Sequence, residues 1–390
     1  MHLAFVTSLV TDGKPTTGFE VANESIVSGL RAIGCKVTEI GFQQPRQSPP
    51  ADEHTIVLKT MDVENASAST LQKTAWMLGA VKSRLPVGGS KLQVVPWALL
   101  EDKLKSLGPI DGVIINSVQM PSAFPKLLSF APFLYVAHNI EHLSARQNSQ
   151  SADGRLKRFL YQRDARLLER VERNLFQNAR HVFCLSNEDR EQIEVFNKNV
   201  SVLNLLFPTQ YKAGAPDPSK QQHIHDIGLI GTWSWQPNFV GLKWFLDEVV
   251  PHLNPDLSVS IAGNTPTMMH SAHPGVKFVG RVEDANEFVE NSRILALVSR
   301  SGTGVQLKTI EAFQMGMPCC ATSSSVRGVG SIPANCSVED DAKAFAVALN
   351  TMVENVKTGK VSRLDGVSFT KKQRDALYAG LERGLASFAR

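Results

Sequence analysis

The chain has 390 residues, 43% of them hydrophobic and 20% charged, with a formal net charge of +4. That length exceeds one ordinary domain and suits two, and the balance is that of a soluble globular protein. So small a charge argues against a nucleic-acid partner, and no apolar run approaches the ~20 residues of a membrane span.

The opening "MHLAFVTSLV" is apolar but short and lacks a basic leader. It reads as a first strand and not a signal peptide, so a cytoplasmic location is expected. The turn that follows holds Gly13 and Gly18 without the G-x-G-x-x-G spacing of a dinucleotide site, and no Walker A motif is present. A NAD enzyme and a P-loop NTPase are therefore disfavoured. Gly18 and Glu20 fall at the start of the first helix.

Further apolar, β-rich runs at 35–41, 111–117, 133–138 and 181–186 alternate with helical patterns. Between them, residues 82–105 hold Lys82, Arg84, Lys91, Lys103 and Lys105 against Glu101 and Asp102, with Trp97, Leu99 and Leu100 among them. A solvated helix face explains this segment. A shallow peripheral contact with the inner membrane is the sharper reading. "YVAHNIEHLSARQ" (135–147) places His138 at the C-terminal end of a strand, the catalytic edge of an open sheet, with Asn139 and Glu141 directly after it. A structural histidine is the plain alternative. Residues 155–179 are expected to form the longest helix, with an apolar face of Leu156, Phe159, Leu160, Leu167, Leu168, Val171 and Leu175.

A break follows at 207–223, "FPTQYKAGAPDPSKQQH", rich in proline and poor in apolar residues, which marks a linker. Beyond it the strand pattern resumes at 226–231, 257–263, 276–280, 293–299 and 317–322. Near-continuous apolar strands flanked by helices indicate parallel sheets covered on both faces. The fold expected is α/β: two Rossmann-like doubly wound parallel-sheet domains, 1–206 and 224–370, facing across a cleft. The final helix, 371–390, is expected to cross back to the first domain. Cys35, Cys184, Cys319, Cys320 and Cys336 are odd in number and lie in or beside apolar runs, so buried free thiols are expected.

Ligands of doubly wound domains bind at strand C-termini. In "IGTWSWQPN" (230–238), Gly231 and Thr232 turn tightly, and the helix starting near Asn238 offers backbone N–H groups suited to a diphosphate. A plain βα turn with Trp233 and Trp235 packed at an edge fits the spacing equally. "GRVEDANEFVENSRI" (280–294) places Arg281 and Val282 in a loop able to meet a flat base. "SGTGVQLKTIEAFQMG" (301–316) is richer: Thr303, Gly304, Val305, Gln306 and Leu307 lead into a helix. Glycine lets the backbone approach a sugar or phosphate closely. Lys308 is a cation at a helix start, where the dipole does not need one and a phosphate would compensate it. Glu311 is an acceptor able to hold both hydroxyls of a ribose. The plain alternative for this pair is an exposed i,i+3 ion pair.

These residues resemble the GT-B-fold retaining glycosyltransferases of family 4, and especially the branch that builds bacterial surface polysaccharides. The likeness runs through "TTGFE", "AHNIE", "LSNEDREQI", "IGTWSWQPN", "FVGRVED" and "GTGVQLKTIEAFQMGMPCCAT". It implies that Glu311 matches the second of two hallmark glutamates, the one that holds the nucleotide ribose. Thr303 stands where the family has the first. Thr232 and Asn238 stand where the family usually has an Arg and a Lys for the diphosphate, which leaves Lys308 to supply that charge. The resemblance also sets His138 beside the transferred sugar, Gly18 and Glu20 in the loop that meets donor phosphate and acceptor, and Arg281 and Val282 beside the base.

The function so implied is metal-independent hexosyl transfer, with retention, from a UDP- or GDP-linked sugar to a glycan or lipid-linked glycan hydroxyl, in exopolysaccharide, lipopolysaccharide or other glycoconjugate synthesis. No resident cofactor is expected, and no carboxylate cluster has metal-ligand spacing. A GT-B nucleotide-sugar epimerase and a non-catalytic sugar-nucleotide-binding protein are the competing readings.

Overall fold

The structure, a computed structural model, describes residues 1–13, 15, 17–49, 53–63, 70–150, 152, 154–207, 224–266, 268–300 and 304–389. Thr303 and nearly all of the expected linker (208–223) lie outside the described residues. The chain packs as two compact units, Met1–Pro208 with Arg374–Arg390, and Thr209–Gln373.

The first unit is built on seven strands: β1 (His2–Thr7), β2 (Lys36–Gln43), β3 (Thr55–Thr60), β4 (Gly112–Asn116), β5 (Phe133–Ala137), β6 (His181–Cys184) and β7 (Val200–Val202). Their order is β3-β2-β1-β4-β5-β6-β7, and every pairing is parallel. The chain steps outward from β1 to β3, then returns to lay β4 on the other flank of β1. That reversal opens a crevice at the C-terminal ends of β1 and β4. Strands β4 and β5 are buried along their whole length, as both faces carry helices. The helix Gly18–Ala32 starts with a capping box: Glu20 N–H donates to Thr17 Oγ1, and Thr17 N–H donates to Glu20 Oε2. The C-terminal helix Val367–Leu385 ends in this unit. Leu377 and Leu381 pack there against Gly29, where a Cβ would come within 2.9 Å of Leu381.

The second unit has six strands: β8 (His225–Ile230), β9 (Val259–Ala262), β10 (Val276–Gly280), β11 (Ser292–Leu297), β12 (Cys319–Ala321) and β13 (Cys336–Val338). Their order is β10-β9-β8-β11-β12-β13, again all parallel. The reversal falls between β8 and β11. Both units are thus doubly wound α/β, as the strand pattern leads one to expect.

Three edge or near-edge strands, β3, β7 and β13, are not among those expected. β7 and β13 span three residues each, and β3 is half-exposed. The long helix runs Arg155–Asn178, but its expected apolar face divides. Leu168 and Leu175 are buried, whereas Leu156 and Phe159 stand in solvent because the first two turns extend past the core they were expected to cover. All five cysteines are free, and four are buried, with Cys336 partly so. No helix among the described residues is long and apolar enough to cross a membrane.

Candidate active site

In the second unit the helix Leu307–Gln314 begins at the C-terminal edge of the sheet, after β11. A serine and two threonines fix it there. Thr309 Oγ1 donates to Ser325 O at 2.6 Å, Ser325 Oγ donates to Leu297 O at 2.7 Å, and Thr322 Oγ1 lies 2.8 Å from Ser325 Oγ. Gly304 has a positive φ of 72°, and its carbonyl accepts from Arg327 Nε at 2.7 Å. Gln306 is the N-cap; its side chain makes no capping bond, and its carbonyl accepts from Thr309 N–H at 3.0 Å, so the amides of Leu307 and Lys308 are not taken up by their cap.

Lys308 does not form the exposed surface pair of the plain reading. Its side chain runs under the sheet edge, and Nζ donates to the carbonyl of Ile230, the last residue of β8, at 3.0 Å. The ammonium lies 5.5 Å from the ring centre of Trp233. Burial lowers its pKa from 10.5 to about 8, while Glu311, one turn on, raises it. Trp233 is itself pinned, with Nε1–H donating to Ala262 O at the end of β9 at 2.8 Å. Gly231 leaves room for both groups: a Cβ there would meet Lys308 Nζ at 2.9 Å and the indole at 3.0 Å.

Asn238, Gln306, Lys308 and Glu311 line one depression, with Trp233 and Ser299. Asn238 Nδ2 donates to Thr232 O at 3.1 Å, which closes the turn before the helix Gln236–Trp244. Trp233 is buried, but Trp235 is half-exposed, so the two tryptophans of the motif do different things. Arg281 and Val282 stand beyond β10 and do not line that depression. Asp284 Oδ1 caps the helix Ala285–Glu290 that follows, as its position leads one to expect.

Gly263, at the end of β9, has φ of 113°, and a Cβ on it would stand 1.8 Å from Gly231 O. Gly263 is therefore the residue of this edge that sequence reasoning misses, whereas Trp233 packs at the edge as the plain reading of its motif has it. A glycine directly after a strand in "SIAGN" was the available signal.

In the first unit His138 is buried at the end of β5. Its Nε2 lies 2.7 Å from Asn116 Oδ1, and its ring lies 4.7 Å from that of Phe19. Asn116 Nδ2 donates to Asn23 Oδ1 at 2.7 Å and to Thr7 Oγ1 at 3.0 Å, while Asn23 Nδ2 donates to Leu9 O at 2.9 Å. Because the amide NH₂ of Asn116 is spent on those acceptors, its oxygen faces the imidazole, and His138 Nε2 carries the proton. Burial pushes the pKa of His138 down to about 4, so the ring is neutral near pH 7. Thr7, Asn23 and Asn116 are network members that a pass along the sequence does not find, since β1, β4 and the first helix bring them together from far apart in the chain.

Asn139 Nδ2 donates to Glu141 Oε1 at 3.4 Å. Burial, the nearby Glu172 and two more distant aspartates push the Glu141 carboxyl up to about 7, against the Asn139 bond. Glu172, fully buried on the long helix, accepts from the backbone N–H of Glu141 at 2.8 Å and of His142 at 2.9 Å, and from His142 Nδ1 at 2.6 Å. It serves the helix Glu141–Gln150 as an N-terminal anion supplied from another element. Glu20 is likewise engaged: Oε1 accepts from Arg46 at 3.2 Å and Gln47 at 3.1 Å, and the carboxylate is 1% exposed. The structure thus gives Glu20 a capping role. Gly18 is the first residue of the helix it caps.

The segment 82–105 is less outward-facing than its composition suggests. Lys91 is buried, with Nζ 4.1 Å from the Trp76 ring centre, and burial lowers its pKa to about 8. Trp97 and Leu99 pack on the core, Leu100 lies within it, and Lys105 pairs with Glu101 at 2.7 Å. Among the described residues no three His, Cys, Asp or Glu side chains cluster as a metal site requires.

Residues 224–355 match the family described as Glycosyl transferases group 1. No curated protein matches the chain. Among solved structures it is similar to sucrose-phosphate synthase (tll1590) from Thermosynechococcus elongatus, at 14% identity and a TM-score of 0.61 over 99% of this chain and 96% of that one. It is also similar to Anabaena Alr3699/HepE in complex with UDP, at 16% identity and a TM-score of 0.57 over 97% and 100%. The catalytic domain of starch synthase IV from Arabidopsis thaliana, bound to ADP and acarbose, matches at 11% identity and a TM-score of 0.61 over 100% and 99%. The fold is GT-B.

Proposed function

We propose, taking as premise a GT-B chain whose residues 224–355 are a glycosyl transferases group 1 domain, that the protein transfers a hexosyl unit from a UDP- or GDP-linked sugar to a hydroxyl of a glycan or lipid-linked glycan. Transfer proceeds with retention and without a metal, in the synthesis of a surface polysaccharide or related glycoconjugate. One observation carries this reading: the Lys308 ammonium is held against the end of β8 beside the start of the helix Leu307–Gln314, whose first two amides no side chain caps.

That pair is suited to a diphosphate. The ammonium and the helix amides would stabilise the negative charge that grows on the departing phosphate oxygen, in a site of low polarity where such contacts are strong. Glu311 would accept from the ribose hydroxyls. His138, neutral and with its Nε2 proton committed to Asn116, would position the sugar; its low pKa makes it a poor base near pH 7. The acceptor oxygen bonds to the anomeric carbon as the bond from that carbon to the phosphate oxygen breaks, and the acceptor's proton passes to that oxygen.

A thermal-shift comparison of UDP, GDP, dTDP and ADP tests the reading, with wild type, Lys308→Ala and Glu311→Ala side by side. A ligand that binds the folded state alone raises Tm. One nucleotide is expected to stabilise the wild type and neither variant. If none of the four moves Tm, the donor site is not here.

A further inference from the structure

Among the described residues, the first unit carries an apolar surface that its core leaves uncovered. In the helix Thr70–Ser83, Trp76 and Ala80 turn inward. The opposite side presents Leu71 and Leu78, 84% and 67% exposed, with Lys82 one turn further on the same stripe. In the first turns of the helix Arg155–Asn178, Leu156 and Phe159 are 71% and 61% exposed. They share a face with Arg163 by i, i+3, i+7 spacing. The Arg163 guanidinium donates to Ala80 O at 2.6 Å and Leu85 O at 3.2 Å, which sets the two helices side by side.

The surroundings are cationic. Lys73, Lys82, Arg84, Arg155, Lys157 and Arg158 are all exposed, and neither Thr70–Ser83 nor 155–162 contains an Asp or Glu. Among the described residues, none of the ion pairs of this unit involves these six cations; Arg163, beside them, pairs with Asp164 at 3.8 Å. Three of the six cations crowd the N-terminal turn of the long helix. Positive charge is unfavourable at that end of a helix dipole, and an anionic surface would relieve it.

We propose that this face docks onto an anionic lipid bilayer, with Leu71, Leu78, Leu156 and Phe159 at headgroup depth and the six cations against lipid phosphates. Apolar side chains flanked by lysine and arginine are what such a surface recognises. A second copy of the chain is the poorer occupant, because a two-fold contact would set the same cations against one another. None of these residues belongs to the depression around Lys308, so nucleotide-induced stabilisation reports on that site separately.

The test is flotation of the full chain with vesicles of equimolar phosphatidylcholine and phosphatidylglycerol, against phosphatidylcholine alone. Wild type should float with the anionic vesicles only. Leu78→Glu with Phe159→Glu should abolish flotation. Lys82→Glu with Arg158→Glu should weaken it by more than tenfold, since each cation near such a surface contributes roughly fivefold. Lys103→Glu with Lys105→Glu, away from the patch, should leave it unchanged. Unaltered Tm in the variants shows that they fold. The proposal is overturned if wild type binds both vesicles equally or neither, or if both patch variants bind as wild type does. It is also overturned if light scattering shows a dimer that the Leu78 and Phe159 substitutions disperse while vesicles stay unbound.

Discussion

Lys308 Nζ donates to Ile230 O at 3.0 Å, so the side chain of one helix's first turn is anchored to the end of a neighbouring strand. The ammonium is thereby held in place before any ligand arrives, at the cost of burial that draws its pKa to about 8. A cation with that pKa is only partly charged in mildly alkaline solution.

The consequence is a pH-dependent nucleotide affinity. A diphosphate prefers the ammonium to the neutral amine, so binding should hold below pH 8 and fall above it. The limiting slope is about tenfold per pH unit, the amount a single required proton dictates. Calorimetric titration of the stabilising nucleotide between neutral and alkaline pH measures it. In Lys308→Arg the guanidinium stays charged throughout, and the alkaline fall should disappear even if affinity drops at every pH. A wild-type affinity that is flat across pH 8 would mean that Lys308 does not contact the anion.

Gly263 tests the same edge from the side of stability. Its φ of 113° is strained for any residue with a Cβ, and that Cβ would overlap Gly231 O. Gly263→Ala must move the β8 turn, which also carries Trp233 and faces Lys308. We expect a loss of about 3 kcal/mol, in the range of backbone strain combined with overpacking, and a Tm lower by about 5–10 °C. Nucleotide stabilisation should shrink as well. Gly13→Ala, at a positive φ of 74° with open space around it, should cost stability through strain alone and leave nucleotide stabilisation intact.

The frame of this molecule is legible because its central strands are long, apolar and flanked by helical periodicity. β1, β4, β5, β8 and β11 can be found by inspection. The short β7 and β13 cannot, since three residues carry no period. Periodicity also misleads at Leu156 and Phe159: it identifies residues that share a helix face but not whether anything covers that face. In the depression of the second unit, Lys308 stands out because a cation in a first turn opposes the helix dipole. Trp233 is legible there only as an aromatic packed at an edge and Gly263 only as a glycine after a strand, because the contacts that give them their roles run between β8 and β9, far apart in the chain. Glu20 shows a further confusion, since a glutamate at the third position of a helix serves a capping box as readily as a ligand.

The network at the other sheet makes the last prediction. Asn116 spends its NH₂ on Asn23 and Thr7, so His138 must donate from Nε2. Nitrogen chemical shifts of the imidazole near pH 7 should therefore report the Nε2–H tautomer; the Nδ1–H form would refute the network as drawn. Truncation in Asn116→Ala would leave the His138 donor and the Asn23 acceptor buried without this partner, at a cost of about 2–4 kcal/mol in denaturant unfolding. The pH dependence of stability follows from the same burial. The folded-state pKa of His138, about 4, lies below its ordinary 6.5, so the folded protein binds fewer protons here than the unfolded chain. Its contribution to stability is complete above about pH 6.5 and is lost as pH falls towards 4. His138→Gln, which does not titrate and can still donate to Asn116, should lose less stability than wild type between those limits, whatever its stability at pH 7.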